Sequence, residues 1–143
     1  MDPQEIAAFL ELSVLLTGLG PSISQQRKTA GEYARVLLGT YPVKFPALLD
    51  AYKALASALP KPALDDALLD KLKQTQAFKD NLVVARQIVL AWYLSHFNDE
   101  TPAPAGPRVV DAGFFEQGAV WPLIGAHPVG FSAQPHGYWT KKP

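Results

Sequence analysis

The sequence predicts an all-α protein: a compact bundle of about five helices followed by an extended, aromatic-rich C-terminal strap. Three observations predict it. From Pro3 to about Phe97, apolar residues recur at helical spacing between cap and stop signals. Pro102, Pro104 and Pro107 then break any regular period. Beyond them Phe114, Phe115, Trp121, Phe131, Tyr138 and Trp139 lie among prolines and glycines, with no sustained period of 2 or 3.6. The chain has 143 residues, which suits one domain with one hydrophobic core. It divides into a helical core (1–98), a proline-rich linker (99–108) and a strap (109–143).

The first helix is written in "DPQEIAAFLELSVLLTG". Asp2 caps it, Pro3 suits the first helical position, and Glu5 stands three residues after the cap. Gly18 supplies the stop. Gln4 and Glu11 form only a narrow polar line, so this helix needs cover on more than one side. A second helix starts at Ser22 or Ser24 and reaches about Leu38, before Gly39. Gly31 weakens its middle by roughly 1 kcal/mol relative to alanine. Pro46 opens a third, "PALLDAYKALASAL", which stops before Pro60.

A fourth helix runs from about Asp65. Leu64, Leu68 and Leu72 line one face, and Asp70, Lys71 and Lys73 stay wet. The fifth is "AFKDNLVVARQIVLAWYLSHF". Its first half is amphipathic, with Arg86 and Gln87 as a polar notch. Its second half has no polar side for two turns, which places it at the centre of the bundle. After the linker, one short helix is expected from about Ala112 to Trp121. From Gly125 on, the chain should lie as an irregular strap. No internal repeat is present.

Net charge is zero. That argues against a nucleic-acid partner, which demands a basic face, and against an electrostatic membrane anchor. The longest wholly apolar run, Ile88 to Leu94, is far short of the about 20 residues that span a bilayer. With no cysteine, disulfides, zinc–thiolate sites, iron–sulfur ligation and thiol nucleophiles are all excluded. Cysteine usage leaves the compartment open. The stretch from Met1 holds no basic segment followed by an apolar run and a cleavage site, so no export signal is expected within it.

Catalytic constellations are equally scarce. His96, His127 and His136 share no metal-ligand spacing on a helix, and none has a carboxylate beside it in sequence. His96 reads as a helix-end cation; the other two fall in loops. "GLG" at Gly18–Gly20 follows a helix and precedes Pro21, so it reads as a stop and a turn, not as a dinucleotide fingerprint. Asp65, Asp66 and Asp70 suit the start of a solvated helix. No serine elbow, Walker loop or zinc-protease helix is present. No catalytic, cofactor-binding or metal-ligating residue is expected on this chain.

The aromatics remain. Trp92 and Tyr93, on the apolar helix, read first as core packing. Tyr138 and Trp139 either pack back onto the chain's own helices or reach another protein, since Trp and Tyr are frequent interface anchors.

Four stretches carry a resemblance to a known family. They are "LLTG" at Leu15–Gly18, "LAWYLSHF" at Leu90–Phe97, "FFEQGAVW" at Phe114–Trp121, and "PHGYWTKKP" at the C-terminus. In this order the chain resembles the small subunit of bacterial FAD-dependent sugar and sugar-alcohol dehydrogenases, which accompanies glucose, sorbitol and fructose dehydrogenases. The family's corresponding stretches are of the types "AWYLG", "YEEALMW" and "PGFWADKP". The resemblance implies a non-catalytic accessory subunit. Such a subunit binds a large FAD-containing catalytic subunit, is needed for its stable folding, and helps export it to the periplasm. A cytochrome c subunit often completes the complex. Flavin and sugar belong to the large subunit. The resemblance makes Trp92, Tyr93, Phe114, Phe115, Trp121, Tyr138 and Trp139 the partner-binding candidates. Two departures stand out. The family's twin-arginine signal is not in this sequence, and Ser95 stands where the family has glycine after "AWYL". The alternatives are a self-sufficient helical interaction or chaperone protein, as a homodimer, and a small enzyme whose site would be a deep pocket with convergent polar groups.

Overall fold

The computed structural model describes residues 1–59, 64–97, 108–109 and 118–125. They form an all-α bundle with one short antiparallel strand pair. In chain order the elements are α1 (Pro3–Thr17), α2 (Gly20–Ile23), α3 (Arg27–Thr40), α4 (Lys44–Ser57), α5 (Asp66–Gln74), α6 (Gln76–Asp80), α7 (Leu82–Leu94), β1 (His96–Phe97), β2 (Arg108–Val109) and α8 (Val120–Leu123).

Helix α1 has the boundaries its sequence announces. The Asp2 carboxylate accepts from the amides of Gln4 and Glu5, both at 2.8 Å, and the Glu5 carboxylate accepts from the Asp2 amide at 3.0 Å. This reciprocal box satisfies three donors at the start of the chain. Gly18 closes the helix in the left-handed conformation, φ 72°. α1 packs against α3, α4, α5 and α7, and Phe9, Leu10, Leu12, Ser13 and Leu15 are buried. It is therefore α1, covered on several sides, that runs through the centre.

Two breaks divide the expected helices. The second helix is two, α2 and α3, separated at Ser24–Gln26, and α3 continues past Gly39 to Thr40. Gly39 does not take the left-handed conformation that closes a helix, so the helix runs through it. The fourth element, α5, begins after Asp65, whose carboxylate accepts from the Leu68 amide at 3.0 Å. Leu68 and Leu72 are buried, whereas Leu64 precedes the helix and is exposed. The fifth predicted helix is divided at Asn81, which leaves helical geometry (φ −115°, ψ 25°). Its side-chain amide donates to the Ala77 carbonyl at 2.7 Å, and its own carbonyl accepts from Val84 and Ala85. A short polar side chain that bonds its own backbone competes with helix continuation. The remainder, α7, starts from that reset.

The core is one cluster. Phe9 and Phe45 meet edge to face at 5.6 Å, joining α1 to α4. Tyr33 of α3 meets Trp92 of α7 edge to face at 5.1 Å and Phe97 of β1 at 5.7 Å. After α7 the chain turns back. His96 pairs with Val109 and Phe97 with Arg108, so the end of the linker read over 99–108 and the start of the strap are a strand. Extended backbone there obtains hydrogen-bond partners by pairing. The helix expected over Ala112–Trp121 falls largely outside the described residues. The described turn, α8, begins at Val120, where that helix was expected to end. Ala119 just before it is buried in the helical core.

Candidate functional site

Two features are candidates: the C-terminal end of α7 and an open apolar groove along its flank. The first is built by hydrogen bonds from four parts of the chain. Ser95 caps α7 in the left-handed conformation (φ 52°, ψ 28°) and is the one described non-glycine residue with positive φ. Its hydroxyl, fully buried, lies 2.8 Å from the Tyr33 hydroxyl. Burial pushes the Tyr33 phenol above its ordinary value, and the bond to Ser95 partly opposes that. Gln87, about two turns back inside α7, is buried and donates to the His96 carbonyl at 2.8 Å. The Ala119 amide donates to the Trp92 carbonyl at 3.2 Å, supplying one of the orphan acceptors at a helix end. The Tyr93 hydroxyl donates to the Thr17 carbonyl, at the end of α1, at 3.0 Å.

The partner-binding candidates thus separate. Trp92 is 3% exposed, its ring against Tyr33. It is a core residue, correcting its place among the partner contacts: it lies on the face of α7 that turns toward α3. Its indole Nε1 is buried, with no hydrogen-bond partner among the described residues. Tyr93 is half-buried and staples α7 to α1. Trp121 is half-buried in α8. Phe114, Phe115, Tyr138 and Trp139 lie outside the described residues.

The groove has a volume of about 530 Å³. Helix α7 supplies Leu82, Ala85, Arg86, Val89 and Leu90 to it. Their spacing is i, i+3, i+4, i+7 and i+8, one continuous stripe of a helix. Opposite stand Leu69 and Lys73 of α5, Phe78 of α6 and Leu16 of α1. Leu82 is 38% exposed. The helix whose second half was expected to be buried all round therefore carries two apolar faces, one buried in the bundle and one covered in part. Val84, Ala85, Ile88, Ala91 and Trp92 are buried in the core, while α5 and α6 cover the second face only in part, leaving Val89 and Leu90 half-buried and Leu82 exposed. Arg86 and Gln87, read as a single notch, point to opposite environments: Arg86 is exposed at the groove and Gln87 is buried. Successive residues on a helix lie about 100° apart, enough to part them.

The groove was missed in the sequence because its residues come from four helices. Its one local signal was that second apolar face of α7. Among the described residues, no group of three or more His, Asp or Glu side chains is placed to hold a metal ion, and no helix is long and apolar enough to cross a membrane. Compared with known proteins, the chain matches no family model, no curated protein and no solved structure.

Proposed function

We propose that this chain is a non-catalytic subunit that binds, stabilises and helps mature the FAD-containing catalytic subunit of a sugar or sugar-alcohol dehydrogenase, with the periplasm as its destination and a cytochrome c subunit as a further member of the complex. The observation that carries this reading is the meeting of two of the resembling stretches. "LLTG" ends α1 and "AWYL" ends α7, 76 positions apart, and they are joined by the bond from the Tyr93 hydroxyl to the Thr17 carbonyl. Each ends in a left-handed residue, Gly18 and Ser95. Ser95 is the position where the family has glycine, the residue that adopts this conformation at least cost. The departure from the motif thus falls at a site where the glycine has a physical reason. The groove would supply only part of the apolar surface that an obligate interface, at about 2,000 Å² or more, requires.

The test is co-expression of the tagged chain with the FAD-containing dehydrogenase encoded beside it, reading co-purification and FAD-dependent dye reduction. The full chain is compared with one cut after Gly130. Stoichiometric co-purification, with activity that falls on truncation, is the expected result. A chain that folds, runs alone and never co-purifies overturns the reading in favour of a self-sufficient helical protein.

A further inference from the structure

We infer that the groove between α5, α6 and α7 takes an acidic amphipathic helix of a partner protein. The inference rests on the reading of the chain as a protein-binding subunit and adds which surface binds and what it binds. The shape argues first. The stripe from Leu82 to Leu90 rises about 12 Å, or two helical turns, beside the shorter wall formed by Leu69 and Phe78. Grooves of this kind receive helices whose anchors repeat at i, i+3, i+4 and i+7. The groove is partly open to solvent: Leu82, Lys73 and Arg86 are exposed, Leu69, Val89 and Leu90 are half-buried, and Ala85 and Phe78 form its buried floor. A small lipophilic molecule would stay largely wet there, whereas ligand sites bury most of their ligand.

Charge argues second. The two charged residues that line the groove are both cations, Lys73 and Arg86. Lys73 is engaged only by a long, exposed contact to Asp70 at 3.5 Å. Arg86 has no ion-pair partner among the described residues. The chain as a whole is neutral, so this placing of two cations, one of them shared with Asp70, beside apolar surface is local. A complementary helix carries leucine-type anchors on one face and glutamates along its edge.

The experiment is an NMR titration of the isotope-labelled full chain at low ionic strength. The probe is a synthetic peptide of about 14 residues, long enough for the stripe, with leucines at i, i+3, i+4 and i+7 and flanking glutamates. The same peptide with lysines replacing the glutamates is the first control, and dodecanoate the second. The acidic peptide is expected to shift resonances of Leu69, Leu82, Ala85 and Val89, and to bind about tenfold more tightly than the basic one. Added salt should shrink that ratio. Arg86→Glu should abolish or invert it, and Leu82→Gln should weaken both peptides. The wild-type comparison stands without either variant.

Equal affinity of the two peptides overturns the inference. So does binding of neither, a footprint elsewhere, or dodecanoate filling the groove as tightly as the acidic peptide. Concentration-dependent broadening of the same residues in the chain alone also overturns it, by assigning the groove to a second copy. Failure to co-purify with the flavoprotein, with peptide selectivity intact, would remove only the identity of the partner. Co-purification without peptide selectivity would remove only the groove.

Discussion

Ser95 carries two opposed terms in one buried residue. A non-glycine residue in left-handed geometry costs about 1 kcal/mol or more, and Ser95 sits at φ 52°. Its hydroxyl stabilises through the 2.8 Å bond to Tyr33, a bond of a kind that contributes about 1 kcal/mol net. Ser95→Ala keeps the strain and loses the bond, so a loss of about 1–2 kcal/mol is expected. Ser95→Gly loses the bond and relieves the strain, so it should be the more stable of the two by about 1 kcal/mol. Urea denaturation of both variants reads the difference directly. Equal stability would show that the backbone at this cap is unstrained.

Two tyrosines set an alkaline limit. Burial pushes the phenols of both Tyr33 and Tyr52 above their ordinary value of 10.0. For Tyr52 the 2.9 Å bond to Glu11 and that carboxylate's charge push the same way. The native state therefore holds these protons where the unfolded chain releases them. Their stabilisation is complete below about pH 10 and is lost as pH rises above it, by at most about 1.4 kcal/mol per pH unit for each tyrosine. Melting temperature should fall steeply above pH 10. Tyr52→Phe should cost about 1 kcal/mol at neutral pH and flatten the alkaline limb. A limb unchanged by that variant would place the alkaline sensitivity elsewhere.

Among the elements, α3 offers a correctable weakness. Gly31 lies inside it, and a Cβ there would meet Ile6 Cδ1 at 3.7 Å, an ordinary contact with α1. The helix has no positive φ at this position. Gly31→Ala should therefore stabilise by roughly 1 kcal/mol through helix propensity alone, measurable as a raised urea midpoint with unchanged slope. A destabilised variant would show that α1 and α3 approach each other too closely for a methyl group.

Element boundaries were legible where a local chemical device sets them. The Asp2–Glu5 box, the Gly18 stop and the Asp65 cap are all in the sequence, because each acts within four residues of itself. Breaks set by competing backbone bonds were not legible. Asn81 interrupts a run of apolar periodicity that continues on both sides of it, so the period alone could not reveal the break. The strand pair His96–Phe97 with Arg108–Val109 is two residues long on each side, too short for any alternation to register. Of the site candidates, Tyr93 was legible as an anchoring aromatic, although its partner is the end of α1. Trp92 was read first as core packing and then, by the resemblance, as a partner contact; the first reading holds, because its ring lies against Tyr33 inside the bundle.

At the scale of the whole molecule, the bundle holds its helices around α1 and leaves one apolar flank covered only in part. Among the described residues, charge does little to hold it together. The ion pairs Glu32–Arg35, Asp50–Lys53 and Asp70–Lys73 are all local and exposed, contributing about 0–1 kcal/mol each. Stability therefore rests on burial around Phe9, Tyr33, Tyr52 and Trp92, and neutral-pH stability should change little with salt. The flank formed by α7 and α5 lies at the surface of the bundle. On the function proposed above, it belongs to a subunit that would hold a larger chain in its folded, flavin-loaded form.

The most direct measurement of that role is the yield of soluble, FAD-loaded dehydrogenase expressed with and without this chain, read from flavin absorbance after purification. A yield that rises severalfold with the chain present, and with the two proteins eluting together, is the expected result. An equal yield in both cases, with this chain eluting by itself, would contradict it.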